Sequence, residues 1–307
     1  MFSTKPVGFL VSSGTATKSS WECAVVLIQP KRTLGYSPLR YPGGKSSLTD
    51  FLLKVLDHNF EKPAKYVEPF AGGAGAAIAL LLQGRVSSIV VNDLDPAIWS
   101  LWHSIVNDGE RFRTLVRETE VTLDEWRTQR EIYASKDVTD PLTLGFSAFF
   151  LNRTSRSGVM NAGVIGGQAQ SGTYRIDARY NKPSLLHMML KIAERKDSIE
   201  VRNADGLEII TEFADTPETL IYADPPYFDK GSYLYMNSFT AAQHEALASA
   251  LNERAASKWI LTYDNVPVIR DLYSARQQQV FSLYYSAHNP GIMNELMVFS
   301  DGLATDF

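Results

Sequence analysis

An apolar segment at 219–223 ends in a carboxylate, two prolines and an aromatic ring, Asp224-Pro225-Pro226-Tyr227. The segment is partly β-branched, which predicts a buried strand, and the prolines must end that strand because they have no N–H for a sheet ladder. Asp224 therefore lies at the carboxyl end of a strand, where open α/β sheets bind their ligands. A carboxylate and a ring at this place can hold a flat amine, whereas a proline turn capped by the aspartate is the other interpretation of the motif taken alone.

A glycine-rich segment lies upstream, at 68–75, and reads EPFAGGAG before the helix-forming run 76–82. This pattern predicts a strand, a tight turn and a helix, in which glycines let the backbone approach a nucleotide and the helix start offers free N–H groups. About twenty residues after Gly73, the apolar run 88–91 leads to Asp93, whose side chain can accept hydrogen bonds from ribose hydroxyls. These features leave NAD and S-adenosylmethionine both open as the ligand.

A third motif precedes the first sheet strand, at 38–46, and reads PLRYPGGKS. It is not a Walker phosphate loop, because such a loop needs a glycine five positions before its last glycine and Leu39 stands there. The order of the three motifs, an aromatic residue before Gly-Gly-Lys, then Glu-Pro-Phe with glycines, then Asp-Pro-Pro-Tyr, resembles the Dam-type DNA adenine-N6 methyltransferases. The resemblance covers roughly residues 37–300.

The elements that must position these motifs follow from the same patterns, since short apolar segments alternating with helical ones predict a parallel α/β sheet. The predicted strands are 66–68, 89–91, 219–223 and 259–262, and the predicted helices lie around 96–106 and 241–250. Two further apolar runs, 279–285 and 295–299, flank an Asn-Pro-Gly turn and predict an antiparallel hairpin at the sheet edge. The resemblance implies the same α/β fold: a Rossmann-like class I methyltransferase sheet with a reversed last strand and an inserted, mainly helical DNA-recognition domain.

The domain organisation that we expect has three parts. Residues 1–34 are an N-terminal extension of unknown role, interpreted as an extra arm or strand. Residues 35–100 and 203–307 form the catalytic, S-adenosylmethionine-binding domain. Residues 101–202, in which the pattern shifts to aromatic-bearing helices and then to a glycine- and arginine-rich window, form the inserted target-recognition domain.

Composition limits the classes of protein to which the chain can belong. With 307 residues, 45% hydrophobic and 21% charged, it can bury one large core and a smaller insert. Cys23 is the only cysteine, so the sequence predicts neither an internal disulfide nor a cysteine metal site, and no metal is expected. No apolar run is long enough to span a bilayer. We therefore expect a cytoplasmic protein with no obligate protein partner, and the resemblance implies that it is bacterial or phage-encoded.

The formal net charge is −4, but binding to nucleic acid depends on where the basic side chains lie rather than on their total. The window 151–182 holds five basic residues against a single acidic one, Asp177, together with amides that can read base edges. A solvated surface is the alternative for any one arginine. Lys182 is the candidate for a phosphate contact, and Arg153 or Arg156 for a guanine contact. The candidate DNA-binding residues are Asn152, Arg153, Arg156, Arg175, Arg179 and Lys182.

Adenine is the flat amine that the resemblance implies. Its N6 lone pair is delocalised into the ring, so acceptors for the N6 hydrogens favour a pyramidal, nucleophilic nitrogen. The Asp224 carboxylate and the Pro225 carbonyl are the candidate acceptors. Tyr227 is expected to stack on a base extruded from the duplex. The candidate catalytic residues are Asp224, Pro225, Pro226 and Tyr227.

The resemblance also implies S-adenosylmethionine as the cofactor. Tyr41 and Lys45 match the family's donor contacts, and Asp93 matches its ribose acceptor. Asp205 lies where many methyltransferases have an acidic group facing the donor's adenine, with a turn-forming role as the alternative, and Phe70 is expected to support the glycine loop. The candidate cofactor-binding residues are Tyr41, Lys45, Phe70, Gly72, Gly73, Gly75, Asp93, Asp205 and Asp224.

The sequence therefore predicts a site-specific DNA methyltransferase that transfers a methyl group from S-adenosylmethionine to N6 of a flipped-out adenine in double-stranded DNA. A methyltransferase acting on RNA or protein is one alternative. A nucleic-acid-binding protein of the same fold without turnover is another, against which the intact motif at 224–227 argues. The window 152–158 reads NRTSRSG and departs from the best-known members of the family, so GATC is only a default target. Restriction protection, phage self-protection and housekeeping marking are all left open.

Overall fold

The computed structural model describes residues 26–27, 36–40, 45–228, 239–285 and 291–306. Its strands are β1 (Val26–Leu27), β2 (Lys65–Glu68), β3 (Ser88–Asn92), β4 (Ile199–Arg202), β5 (Thr219–Ala223), β6 (Trp259–Asp264), β7 (Gln277–Tyr285) and β8 (Gly291–Phe299). They form one sheet in the order β1-β7-β8-β6-β5-β2-β3-β4. Within it β8 runs antiparallel to both of its neighbours, and the other pairs are parallel. The predicted α/β sheet with a reversed last strand is confirmed.

The strands predicted from apolar runs correspond to β2, β3, β5 and β6, and the predicted hairpin consists of β7 and β8. Asn289 and Pro290 of its turn lie outside the described residues. β1 gives the N-terminal extension a strand, which pairs with β7, so the hairpin lies one strand in from the edge. The sequence did not predict β4, because its four residues alternate apolar with charged side chains on the opposite edge.

The helices follow the strands in the order that the sequence patterns predict. They are α1 (Thr49–Asn59), α2 (Gly75–Leu82), α3 (Pro96–Asn107), α4 (Gly109–Glu118), α5 (Leu123–Ser135), α6 (Pro141–Thr154), α7 (Lys182–Ala193), α8 (Gly206–Phe213), α9 (Ala241–Asn252) and α10 (Pro267–Leu272). Both predicted helices, α3 and α9, have strong starts: Asp95 caps α3, and Thr240 forms a capping box with Gln243. Among the described helices, none has the length and apolar content to cross a membrane.

The sheet has an apolar core on each face, because successive side chains of a strand point to opposite sides. Tyr66 of β2 lies in one core with α1, α2, α3 and α6, whereas its neighbour Val67 lies in the other with α8, α9 and α10. Burial on both faces is typical of parallel strands. The carboxyl ends of β2, β3, β5 and β6 therefore form a shared crevice between the layers.

The proposed insert, 101–202, consists mainly of helices, namely most of α3 and all of α4 to α7. Its central helix, α6, is buried along most of its length. The Phe149 ring lies 5.7 Å from that of Phe112 and 5.6 Å from that of Tyr180, between centroids. The last four residues of this range form β4 and pair with β3, so the sheet itself continues into the range. The domain boundaries remain a proposal.

Candidate active site

Asp224 follows the last residue of β5. It is the most exposed member of a buried polar cluster, the active-site cluster, which consists of Lys45, Asp224, Tyr227, Thr262 and Glu295. Its Oδ1 accepts a hydrogen bond from the Thr262 hydroxyl at 2.7 Å, and its Oδ2 is 3.1 Å from Lys45 Nζ. The Asp224 side chain is 17% exposed, whereas that of Lys45 is 4% exposed. Burial raises the pKa of Asp224, and the negative charge of Glu295 adds to this rise, although the Lys45 charge opposes both. Thr262 and Lys45 thus hold the carboxylate from the interior, and part of it is exposed to solvent.

The Tyr227 ring does not take the exposed position that its predicted stacking role requires. It is 4% exposed, and its hydroxyl accepts from Lys45 Nζ and donates to Glu295 Oε2, both at 2.8 Å. A tyrosine hydroxyl needs such partners when it is buried, which is why the ring turns inward. The next residue, Phe228, is 37% exposed. We therefore correct the prediction: the Tyr227 ring is buried, and the exposed ring of this segment is that of Phe228.

The two prolines end β5 as predicted and direct the chain across the end of β6. Pro225 is buried and Pro226 is half-buried. The backbone N–H of Phe228 donates to Asp264 Oδ1 at 3.0 Å, where β6 ends. The motif is therefore held at both ends, by Asp224 and by the amide of Phe228.

The glycine loop between β2 and α2 is fixed by hydrogen bonds from three other segments. Gly72 has a φ of 47°, in the left-handed region that glycine adopts without strain. Its N–H donates to Asp93 Oδ2 at 2.9 Å, and its carbonyl accepts from the Trp102 indole at 2.8 Å. The carbonyl of Gly73 accepts from the Ser37 hydroxyl at 2.6 Å. These bonds preorganise the loop.

Glu68 connects this loop to the start of the next helix. It is buried, and its Oε1 accepts from the Ala77 N–H at 3.1 Å. Burial raises the pKa of Glu68 to about 8. α2 begins at Gly75 without a capping side chain, which leaves N–H groups of its first turn for a ligand.

Asp93 lies directly after β3, beside the glycine loop. It accepts from the Gly72 N–H and, at 2.9 Å, from the Asp95 N–H. Burial raises the pKa of Asp93 to about 6. Asp95 itself is tied to the insert, since Lys136 Nζ lies 2.8 Å from its Oδ1. Leu94 is 51% exposed, so an acceptor and an apolar side chain adjoin at this strand end.

Phe70 packs against Gly206 at the start of α8, the residue after Asp205. A Cβ on Gly206 would lie 2.3 Å from a carbon of the Phe70 ring, so only glycine permits this close packing. The Phe239 ring meets Phe70 edge-on at a centroid distance of 5.8 Å. Asp205 is exposed, and its Oδ1 accepts from the Leu207 N–H at 2.8 Å, which caps α8. Of the two roles left open for Asp205, this bond supports the turn-forming one.

The candidate cofactor residues thus line the carboxyl ends of neighbouring strands, with the exception of Tyr41, which lies outside the described residues. In the parts of the chain that the structure describes, no cluster of three or more histidine, cysteine and carboxylate side chains could hold a metal ion. The residues brought to this crevice are Lys45, Phe70, Gly72, Gly73, Gly75, Asp93, Asp205 and Asp224.

Comparison with known proteins agrees with this arrangement. Residues 41–289 match the family model of the D12 class N6 adenine-specific DNA methyltransferases. This chain belongs to that family. The resemblance predicted from the three motifs is confirmed, and with it S-adenosylmethionine-dependent methyl transfer as the activity of a D12 class enzyme.

Individual relatives of this D12 methyltransferase carry related names. The type II methyltransferase M.MjaIII of Methanocaldococcus jannaschii is 22% identical over 208 residues, which are 62% of this chain and 68% of the relative. The retron Ec67 DNA adenine methylase of Escherichia coli is 26% identical over 247 residues, 76% of this chain and 79% of the relative. The solved structure of the rRNA methyltransferase aviRa from Streptomyces viridochromogenes is 11% identical, with a TM-score of 0.37, and the match covers 84% of this chain and 85% of that structure.

Two of the candidate DNA-binding residues form hydrogen bonds to backbone groups within the D12 methyltransferase. Asn152 is 1% exposed, accepts from the Arg40 N–H at 2.8 Å, and donates to the carbonyls of Arg40 and Gly158 at 2.9 Å. Lys182 Nζ donates at 2.8 Å to two carbonyls at the end of α4. We therefore correct both roles: Asn152 clamps the segment before α1 and does not read bases, and Lys182 caps a helix.

The window contains one half-buried arginine, which lies near Arg40, and three exposed ones. Arg153 is half-buried, and its Nε donates to the Arg179 carbonyl at 2.7 Å. Burial, together with the charges of Arg40 and Arg179, lowers the pKa of Arg153 to about 10. One buried guanidinium nitrogen of Arg40 has no hydrogen-bond partner within the described residues. Arg156, Arg175 and Arg179 are exposed.

Sequence reasoning missed three residues of this site, each for a recognisable reason. Thr262 was read only as the end of a strand, although a hydroxyl at a carboxyl end is itself a signal. Glu295 opens an apolar run and was read as part of a hairpin. Arg40 lies inside the third motif, in which only Tyr41 and Lys45 were assigned a role.

Proposed function

We propose that this D12 methyltransferase transfers a methyl group from S-adenosylmethionine to N6 of an adenine flipped out of double-stranded DNA, with Asp224 as the acceptor that orients N6. One observation carries the proposal. The Asp224 carboxylate opens toward the surface at the end of β5, while Thr262 and Lys45 fix it from the interior. An acceptor oriented in advance is what a weakly nucleophilic amine requires.

The chemistry explains this requirement. In the transfer, the N6 lone pair forms a bond to the methyl carbon while the bond from that carbon to sulfur breaks and leaves its electrons on sulfur. N6 gains positive charge and then loses one proton. The Asp224 carboxylate stabilises the developing charge without reorganising, and such preorganised groups contribute about 10²- to 10³-fold each. Orientation of N6 toward the methyl group adds to this effect.

The strand ends fit S-adenosylmethionine, which supplies the methyl group as a sulfonium cation. We propose that Asp93 accepts from its ribose hydroxyls and that Leu94 and Phe70 contact its adenine ring. The first turn of α2, beginning at Gly75, offers N–H groups. The supporting observation is that the glycine loop, the acceptor and an exposed apolar side chain adjoin on neighbouring strands. Lys45 supports Asp224 in this assignment, because its ammonium lies beside that carboxylate.

The flipped adenine needs an aromatic surface, because leaving the duplex costs it a few kcal/mol of stacking. We assign this surface to Phe228. Its ring is exposed, follows the Asp224-Pro225-Pro226-Tyr227 motif directly in the chain, and packs against the His244 ring at a centroid distance of 5.0 Å. Base-to-aromatic stacking of about 1–3 kcal/mol offsets the cost.

The insert 101–202 is proposed to hold the DNA through its arginines. Burial lowers the pKa values of Arg40 and Arg153, and the nearby charge of Arg179 contributes to both shifts; within the described residues none of the three arginines forms an ion pair. Like charges held together without an acidic partner are stabilised by a polyanion. DNA phosphates provide that charge. Arg156 and Arg175 are the exposed candidates for groove contacts.

The experiment is incubation of the purified protein with methyl-labelled S-adenosylmethionine and either unmethylated genomic DNA, total RNA or protein, followed by nucleoside analysis. We expect N6-methyladenine in duplex DNA, with methylated sites that share one sequence. Asp224→Asn is the matched control and is expected to form the product about 10²- to 10³-fold more slowly. Label confined to RNA or protein would contradict the proposal.

A further inference from the structure

Glu295 is a buried carboxylate in the active-site cluster that the proposed mechanism does not use. It lies on β8, in register with Asp264 of β6, and is 0% exposed. Its Oε2 accepts from the Tyr227 hydroxyl at 2.8 Å and is 3.6 Å from Lys45 Nζ. A buried charge is costly unless it is paired, so a carboxylate at this place requires a reason.

Glu295 shares a cation with Asp224. Lys45 Nζ lies 3.1 Å from Asp224 and 3.6 Å from Glu295, so this ammonium lies between two carboxylates. The Tyr227 hydroxyl bridges them, since it accepts from Lys45 and lies within 3.2 Å of Asp224 Oδ1 as well as bonding to Glu295. Among the residues that the structure describes, the charged groups facing Glu295 include Lys45 from the segment before α1, Asp224 from the end of β5, and Asp264 across the β6 pairing.

The consequence concerns the strength of Asp224 as an acceptor. If Lys45 paired with Asp224 alone, the ammonium would neutralise the carboxylate and weaken its attraction for the N6 hydrogens. Glu295 draws part of the Lys45 charge away. Asp224 then attracts the N6 hydrogens more strongly as positive charge passes from sulfur to N6.

We propose that Glu295 is a positioning residue for methyl transfer: it shares Lys45 and holds the Tyr227 hydroxyl, so that the Asp224 carboxylate is a stronger acceptor for the N6 hydrogens. This proposal rests on the proposed function, in which Asp224 orients the amine. Glu295 touches neither substrate nor donor in this assignment and acts through Lys45 and Tyr227.

The test is Glu295→Gln, which keeps the shape and an acceptor oxygen but removes the charge. Single-turnover methylation of duplex DNA is measured against pH, together with the affinities for S-adenosylmethionine and DNA. We expect the rate constant to fall by about tenfold or more, equal to about 1.4 kcal/mol, with both affinities within about threefold of wild type. The acid limb of the rate profile is expected to move to lower pH, because the like charge that raises the pKa of Asp224 is gone.

Two companion variants keep the outcome decisive. Glu295→Asp retains the charge and is expected to keep the wild-type acid limb. This variant alone decides the question if Glu295→Gln does not fold, as judged by thermal denaturation. Glu200→Gln, on the exposed edge strand β4, is expected to change nothing. The proposal would be overturned if Glu295→Gln kept the wild-type rate and pH profile, or if it lost rate while the acid limb of its pH profile stayed in place. A shifted acid limb in Glu295→Asp would also overturn it. Failure of the wild type to methylate DNA would instead reject the proposed function.

Discussion

The active-site cluster and the arginine surface of the insert differ in how their charges are arranged: the charges of the cluster are buried and paired, and those of the surface are exposed. In the cluster, Lys45, Asp224 and Glu295 are linked to one another, and all but Asp224 are almost fully buried. On the insert, Arg156 and Arg175 are exposed, and neither has an ion-pair partner in the described part of the chain. The chemistry is organised before the substrate arrives, whereas the recognition surface is left unpaired for a partner that brings its own charge.

This difference has an energetic reason. A buried charge without a partner costs several kcal/mol, so the cluster must be paired for the chain to fold. Exposed arginines cost little in water, and their pairing with phosphates releases counterions only when DNA binds. Catalysis and recognition should therefore respond separately to substitution.

Asp224→Asn is expected to have the largest effect. The single-turnover rate should fall by about 10²- to 10³-fold, because the neutral amide no longer stabilises positive charge on N6. DNA affinity in a filter-binding or fluorescence assay should remain near that of wild type. A variant that retained more than about a tenth of the wild-type rate would remove Asp224 from its assigned role.

Glu68→Gln tests how the buried carboxyl of Glu68, beside the glycine loop, changes the free energy of unfolding with pH. The pKa of Glu68 is near 4.5 in the unfolded chain and about 8 when folded, so the folded state holds the proton more tightly. The stability that this provides is fully present below pH 4.5 and is lost as the pH rises through 8, at no more than about 1.4 kcal/mol per pH unit. Melting temperatures measured from pH 5 to 8 should fall less steeply in Glu68→Gln than in wild type. Glu208→Gln, on the exposed side of α8, is the control, and equal slopes in the two variants would contradict the assignment.

Asp93→Asn should affect the donor and not the DNA. In wild type, S-adenosylmethionine affinity measured by calorimetry should weaken as the pH falls through about 6, because the protonated carboxyl of Asp93 is a poorer acceptor for ribose hydroxyls. The variant should bind about tenfold more weakly at neutral pH, about the value of one hydrogen bond, and should lose the pH dependence. Asp205→Asn is the matched control, since asparagine also caps helices. A wild-type affinity that does not change between pH 5 and 7 would rule out this role.

Arg179→Ala should have the smallest effect and the most specific signature. Its loss removes a phosphate partner, so DNA affinity should fall about equally for all sequences and the salt slope should decrease by about one. Lys182→Ala is the comparison, because that ammonium is occupied by backbone carbonyls at the end of α4. A larger loss of DNA binding in Lys182→Ala than in Arg179→Ala would restore the role first predicted for the lysine.

The elements that position the site could be predicted from the sequence, because their signals are local. Prolines that must end β5 place Asp224, and a glycine turn between an apolar run and a helix places the donor loop. Residues whose roles depend on distant pairing could not be predicted. Glu295 lies beside Lys45 and Tyr227 because β8 pairs with β6. The Asn152 side chain bonds to the backbone of Arg40, 112 positions away. Tyr227 was assigned an exposed ring because the motif alone does not reveal partners for its hydroxyl.

Separation of chemistry from recognition is tested most directly by measuring DNA affinity and single-turnover methylation on the same duplex for Asp224→Asn and for Arg40→Ala combined with Arg179→Ala. We expect Asp224→Asn to bind DNA like wild type and to methylate it about 10²- to 10³-fold more slowly. The arginine variant should bind more weakly yet methylate at the wild-type rate once DNA is saturating. Methylation by Asp224→Asn at more than about a tenth of the wild-type rate, or an equal loss of saturated rate in the arginine variant, would contradict the separation.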